Sequence, residues 1–108
     1  MSRLTDLRCR PCEGGVAPLP PAAIQQQLTE LPGWVADPQA QYISRRFRFN
    51  NFHETMAFVN AVAWIAHSEN HHPDLEISYK ECLVRYSTHA IGGLSENDLI
   101  CAAKVSAL

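Results

Sequence analysis

Two short segments hold most of the side chains that could do chemistry, Asn70-His71-His72-Pro73-Asp74 and Ser87-Thr88-His89, with three of the chain's five histidines between them. Imidazole is the side chain whose ordinary pKa, about 6.5, lets it give or take a proton near neutrality, so histidines gathered at element ends point to acid/base work or metal ligation. His53 and His67 have no partner motif and read as surface or interface residues. The adjacent pair His71-His72 before a proline is harder to explain as core filling. His67 and His71 have helical ligand spacing, but there is no H-E-x-x-H arrangement, no obvious acidic or thiolate third ligand, and neighbouring imidazoles point in different directions. No metal is expected. Ser87 and Ser95 lack the elbow of a nucleophilic serine, and Cys82 falls on a buried parity where a thiol is inert.

The elements that must position these residues follow from periodicity and breakers. Pro20-Pro21 opens a first helix with Ile24, Leu28 and Leu31 as its apolar stripe, and Pro32-Gly33 stops it. Trp34-Val35-Ala36 reads as a short strand, Asp37-Pro38 as a turn and residues 41–49 as a longer strand. In that strand Ile43, Arg45, Phe47 and Phe49 share one parity, and Tyr42, Ser44, Arg46 and Arg48 the other. Asn51 with Glu54 is an N-terminal capping signal for a long helix, whose expected stripe is Phe52, Met56, Val59, Val62, Ala63 and Ala66. Pro73 biases His72 away from helical geometry and ends that helix by about His71.

Leu75, Ile77 and Tyr79 alternate with Glu76 and Ser78, and Cys82, Val84 and Tyr86 with Leu83 and Arg85, which reads as a hairpin turning near Lys80-Glu81. The same parity turns His89 outward, opposite Val84 and Tyr86. Gly92-Gly93 makes a loop. Ser95 caps a last helix, with Asp98 at the capping-box position and Leu99, Ala102, Ala103 and Leu108 on its buried side. The order is α-β-β-α-β-β-α, and the wet parities of Arg46, Arg48 and Arg85 leave one sheet face uncovered. The expected fold is therefore α+β, a four-stranded antiparallel sheet with three helices on one face. Residues 1–18, with Pro11, Gly14-Gly15 and Pro18, read as an irregular arm without a packed element, and residues 19–108 as the domain.

A chain of 108 residues, 46% hydrophobic and 19% charged, is the size of one domain that can fill a core. Its net charge of -2 with mixed signs gives no footprint for nucleic acid or an anionic membrane. No apolar run reaches the roughly 20 residues of a membrane span, and residues 1–10 lack the apolar centre of a signal peptide, so a cytoplasmic protein is expected. Of the four cysteines, Cys9, Cys12, Cys82 and Cys101, only Cys9 and Cys12 form a C-x-x-C pair. Without a second pair, or a strand before it and a helix after, the bland reading is two reduced thiols.

The run Asn70-His71-His72-Pro73-Asp74, the hairpin through Tyr79, then Ser87-Thr88-His89, Gly93-Leu94-Ser95-Glu96 and Asp98 resembles the pterin-4a-carbinolamine dehydratases, and Cys9-x-x-Cys12-x-Gly14-Gly15 is similar to arms of bacterial members. His67, Leu75 and Lys80 stand where animal members often carry a glutamate, an aromatic and an asparagine. The resemblance implies an oligomeric enzyme, at least a homodimer, that dehydrates 4a-hydroxytetrahydropterin to quinonoid dihydropterin for aromatic amino-acid hydroxylases, with no metal or organic cofactor. It places the essential histidines on His71, His72 and His89, and pterin contacts on Asn70, His71, His72, Ser87, Thr88, His89 and Ala90. His71 and His89 are expected to share the acid and base roles, with His72 orienting the ring. It also implies an alternative role, since an animal member serves as dimerisation cofactor of a transcription factor.

Overall fold

The computed structural model describes residues 4–10 and 17–108. The helices are α1 (Pro21–Leu28), α2 (Phe52–Glu69) and α3 (Glu96–Ser106), and the strands are β1 (Val35–Ala36), β2 (Ile43–Arg48), β3 (Asp74–Ile77) and β4 (Glu81–Tyr86). All pairings are antiparallel and the sheet order is β1-β2-β4-β3. The expected α+β architecture is the one observed, with three helices and a four-stranded sheet.

Local signals set the element ends. Asn51 Oδ1 accepts the Glu54 N–H at 2.8 Å while Glu54 Oε1 accepts the Asn50 N–H at 3.1 Å, closing the start of α2. Ser95 and Asp98 form the reciprocal capping box of α3. Strand β4 alternates as its sequence requires, with Cys82, Val84 and Tyr86 fully buried, while Arg46 and Arg48 of β2 stay exposed. Those inward residues meet Ile43, Val59, Val62, Leu99 and Ala102 in one core. Gly93 allows the chain before α1 to pass close by, since a Cβ there would meet Pro18 Cβ at 2.9 Å.

Several expectations are corrected. Helix α1 ends at Leu28, and Leu31 is buried from the turn that follows. The inward face of α2 runs through Thr55, Val59, Val62 and Glu69, whereas Phe52 and Ala63 are exposed. Thr55 faces inward because its hydroxyl donates to the carbonyls of Asn51 at 2.9 Å and Tyr79 at 2.8 Å, which rotates the stripe from the purely apolar register. Ile77, the last residue of edge strand β3, and Tyr79, in the turn after it, are also exposed, and Leu108 lies beyond the end of α3. Residues 4–10, expected to hold no packed element, contain a single 3-10 turn at Leu4–Asp6 against α3, with Leu4 and Cys9 packed on the core. The Pro11, Cys12 and Gly14-Gly15 readings lie outside the described residues.

Candidate active site

The long helix must end abruptly for the histidine pair to leave it, and Asn70 supplies the turn. It adopts the left-handed conformation at φ 53, which asparagine tolerates better than most residues. The His71 N–H then donates to the Ala66 carbonyl at 3.1 Å and the Asn70 N–H to the His67 carbonyl, the paired bonds of a Schellman ending. His71 turns inward and its ring stacks on Tyr86 of β4, centroids 5.8 Å apart and planes 11° apart. His72, next in the chain, is exposed, and its Nδ1 lies 3.2 Å from the Pro73 carbonyl.

The second segment leaves β4 at Tyr86. Thr88 pairs with Gly93 across a short bridge, its N–H donating to the Gly93 carbonyl at 2.8 Å, and His89 opens a 3-10 turn at His89–Ile91. This turn ends on Gly92 in the left-handed region, φ 67. His89 is exposed, as the strand parity suggested, but from a turn rather than from the sheet.

These two chain ends enclose a cavity of about 410 Å³, within the range of roughly 300–1,000 Å³ usual for small-molecule sites. Asn70, His71, His72, Ser87, Thr88, His89 and Ala90 all line it, so the residues that the resemblance assigned to the site lie on one cavity, whereas His53, His67 and Asp74 do not. Cys9, Arg10, Glu69 and Asn97 complete the lining.

Behind the cavity sits Asp98, completely buried, with Oδ1 2.6 Å from His71 Nε2. Its Oδ2 accepts the Thr88 hydroxyl at 2.8 Å and the Ser95 N–H at 2.9 Å. A carboxylate only accepts, so Nε2 of His71 carries the proton and, in the neutral ring, Nδ1 holds the lone pair. The Thr88 hydroxyl, also 2.8 Å from Ser95 Oγ, is thereby committed to this buried network. His71 is thus held in one orientation by Asp98, while His72 and His89 are accessible imidazoles on the same cavity.

In the sequence Asp98 is legible as a helix cap and as part of the family resemblance, but not as the partner of His71. Its second oxygen was free for another donor, but the distance of 27 residues to His71 hid the partner. Glu69 went unmarked, although an acid in helical register with Val59 and Val62 signals a buried carboxylate with a partner. Its side chain is 4% exposed and pairs with Arg8 Nε at 2.8 Å and Lys104 Nζ at 3.8 Å. Burial alone would raise its pKa, but the Cys9 N–H, Lys104 and Arg8 together outweigh it and hold the carboxyl below its ordinary range. Cys9 Sγ lies 3.5 Å from Cys101 Sγ, and that contact with burial pushes the Cys101 thiol upward, so it behaves as packing rather than as a nucleophile. Burial likewise raises Cys82. Among the described residues no group of three or more His, Cys, Asp and Glu is placed to hold a metal ion, and no helix is long and apolar enough to cross a membrane.

A one-sided α+β sheet ending in a cavity lined by three imidazoles, one of them aligned by a buried carboxylate, defines a small-molecule site suited to proton transfer. The family model for pterin 4 alpha carbinolamine dehydratase matches residues 17–108. A relative from Dechloromonas aromatica is 55% identical over 105 residues, spanning 97% of this chain and 92% of its own length. One from Nitrosomonas eutropha is 57% identical over 107 residues with the same coverage, and both are provisionally named pterin-4-alpha-carbinolamine dehydratases. A crystal structure of a transcriptional coactivator/pterin dehydratase from Brucella melitensis superposes with a TM-score of 0.79 at 29% identity, covering 83% of this chain and 96% of its own. A pterin dehydratase-like protein identified as a RuBisCO assembly factor in the alpha-carboxysome shares the fold at TM-score 0.60 and 21% identity, over 69% of this chain and 87% of its own. The chain belongs to the pterin 4 alpha carbinolamine dehydratase family, and its activity is that of a dehydratase, a hydro-lyase.

Proposed function

We propose that the chain dehydrates 4a-hydroxytetrahydrobiopterin to quinonoid dihydropterin by histidine acid/base catalysis, recycling the pterin used by an aromatic amino-acid hydroxylase. The observation that carries this reading is the buried Asp98 held against His71 on the wall of a cavity that also receives His72 and His89. Losing the 4a-hydroxyl breaks the C4a–O bond, so one group must protonate the departing oxygen while another takes a proton from a ring N–H. Asp98 favours His71 as the base, because it fixes the proton on Nε2 and leaves Nδ1 to accept. His89, exposed on the same cavity, is assigned the acid, and the proton it donates departs in the water formed. His72 orients the ring, together with polar groups of Asn70 and Ser87, while Thr88 and Ala90 shape the wall. No cofactor enters these steps.

The test is the rate of 4a-carbinolamine breakdown with protein over the uncatalysed breakdown in buffer. Catalytic acceleration supports the reading, and a rate equal to background refutes it. The proposed setting is the cytoplasm, where reduced thiols such as Cys9, Cys82 and Cys101 persist. A homo-oligomer is also proposed: Ile77 and Tyr79 beside the β3 edge are 43% and 59% exposed, and Trp64 on α2 is 67% exposed, surfaces that a second copy would cover. A monomer by light scattering at micromolar concentration refutes that part.

A second reading, a protein-interaction module acting with a transcription regulator, is favoured by the coactivator description of the Brucella melitensis neighbour. Partner binding without acceleration of pterin dehydration would select it.

A further inference from the structure

The family model begins at residue 17, yet Cys9 and Arg10 form part of the cavity wall. This segment is fastened at both ends of the site. On the α2 side, Arg8 Nε pairs with Glu69 Oε2 at 2.8 Å, Arg8 Nη2 donates to the Ser68 carbonyl at 3.1 Å, and the Cys9 N–H donates to Glu69 Oε1 at 2.8 Å. On the α3 side, the Arg10 N–H donates to Asn97 Oδ1 at 2.9 Å and Asn97 Nδ2 donates back to the Arg10 carbonyl. Cys9, Arg10 and Asn97 also line a neighbouring cavity of about 380 Å³, so the segment is the partition between the two spaces.

The fastening residues are well placed to matter. Glu69 immediately precedes Asn70-His71-His72, and Asn97 immediately precedes Asp98. A carboxylate buried to this degree is retained only when its partners satisfy it, and two of its bonds go to Arg8 and Cys9. Asn97 matches a backbone N–H and C=O of one residue with its own amide, which fixes Arg10 in position and register.

We propose that Arg8-Cys9-Arg10, clamped by Glu69 and Asn97, is a wall of the substrate site, and that Glu69 and Asn97 are positioning residues which act on substrate affinity rather than on proton transfer. This rests on the pterin reading above. Because the segment bridges the helix ends that lead to His71 and Asp98, it forms part of the cavity wall and limits the space open to the bound ring.

The experiment compares the full-length wild type with Glu69→Ala, Asn97→Ala, the double variant and the conservative Glu69→Gln, which keeps an acceptor for the Cys9 N–H. Three readouts are taken: trypsin cleavage after Arg8, the split between KM and kcat for carbinolamine dehydration, and the Kd of the non-reacting probe 7,8-dihydrobiopterin. Either alanine variant is expected to speed cleavage and to raise KM and Kd by about three- to tenfold, with kcat within about twofold. Glu69→Gln should fall between wild type and Glu69→Ala. The double variant should be little worse than either single, since both release one segment. Should Glu69→Ala fail to fold, Asn97→Ala decides alone. Unchanged cleavage in the alanine variants overturns the clamp, and faster cleavage with unchanged KM and Kd overturns the wall. A fall in kcat without a rise in KM overturns the division of roles. A wild type that neither accelerates dehydration nor binds the probe sinks the function reading and this inference together, whereas a competent wild type with indifferent variants sinks this inference alone.

Discussion

Asp98→Asn isolates the role of the buried carboxylate at nearly constant shape. Asp98 accepts three hydrogen bonds, from His71 Nε2 at 2.6 Å, the Thr88 hydroxyl at 2.8 Å and the Ser95 N–H at 2.9 Å. An amide offers one acceptor oxygen and one NH2. If the oxygen takes the place of Oδ2, both Thr88 and Ser95 remain satisfied and the NH2 faces His71. If it takes the place of Oδ1, the NH2 meets the Ser95 N–H donor to donor in a fully buried position. Leaving a buried donor unsatisfied costs about 1–3 kcal/mol, so the first orientation wins by roughly five- to 150-fold. His71 Nε2 must then accept, its proton moves to Nδ1, and the nitrogen assigned as base becomes a donor. Removing a correctly poised base costs about 10²- to 10⁴-fold, and the expected fall in kcat lies in that range, with KM changed far less. The assay is stopped-flow absorbance of carbinolamine breakdown corrected for the buffer rate, with circular dichroism confirming the fold. A kcat within about threefold of wild type in a folded Asp98→Asn protein would refute both the tautomer reasoning and the assignment of His71 as base.

Three further outcomes are expected. His89→Ala lowers kcat by about 10²-fold or more, whereas His72→Ala mainly raises KM; steady-state kinetics showing the reverse split would exchange their roles. Because Glu69 has a folded pKa below its ordinary 4.5, its contribution to stability is full above that value and is lost as pH falls through the depressed one. Glu69→Gln should therefore melt below wild type at pH 7, with the gap closing under acid conditions; a gap constant from pH 7 to pH 3 contradicts the ion-pair account. Tyr86 stacks on His71 through its ring, while its buried hydroxyl makes no hydrogen bond of good geometry with the described residues. Tyr86→Phe should leave kcat within about twofold and leave Tm unchanged or higher, and a Tm drop worth more than about 1 kcal/mol would mean the hydroxyl has an unseen partner.

The sequence by itself determined the features whose causes are local. The Asn51 and Ser95 caps need partners only three residues on, and β4 alternates because successive side chains must face opposite ways. Pro73 marks the end of α2 within two residues of the histidine pair it releases. Such signals placed His71, His72 and His89 at element ends, and the resemblance assigned them to one site. Tertiary structure alone decided what stands behind and beside them. The bond between Asp98 and His71 spans 27 residues, that between Glu69 and Cys9 spans 60, and that between Asn97 and Arg10 spans 87. Each joins groups whose own neighbours in sequence do not announce the partner, because the approach depends on how α2, α3 and the N-terminal segment pack. For the same reason the buried face of α2 could not be read from apolar residues alone. Thr55 and Glu69 turn inward because a carbonyl on the sheet side and cations from Arg8 and Lys104 are waiting there, and only the folded chain brings those groups within reach.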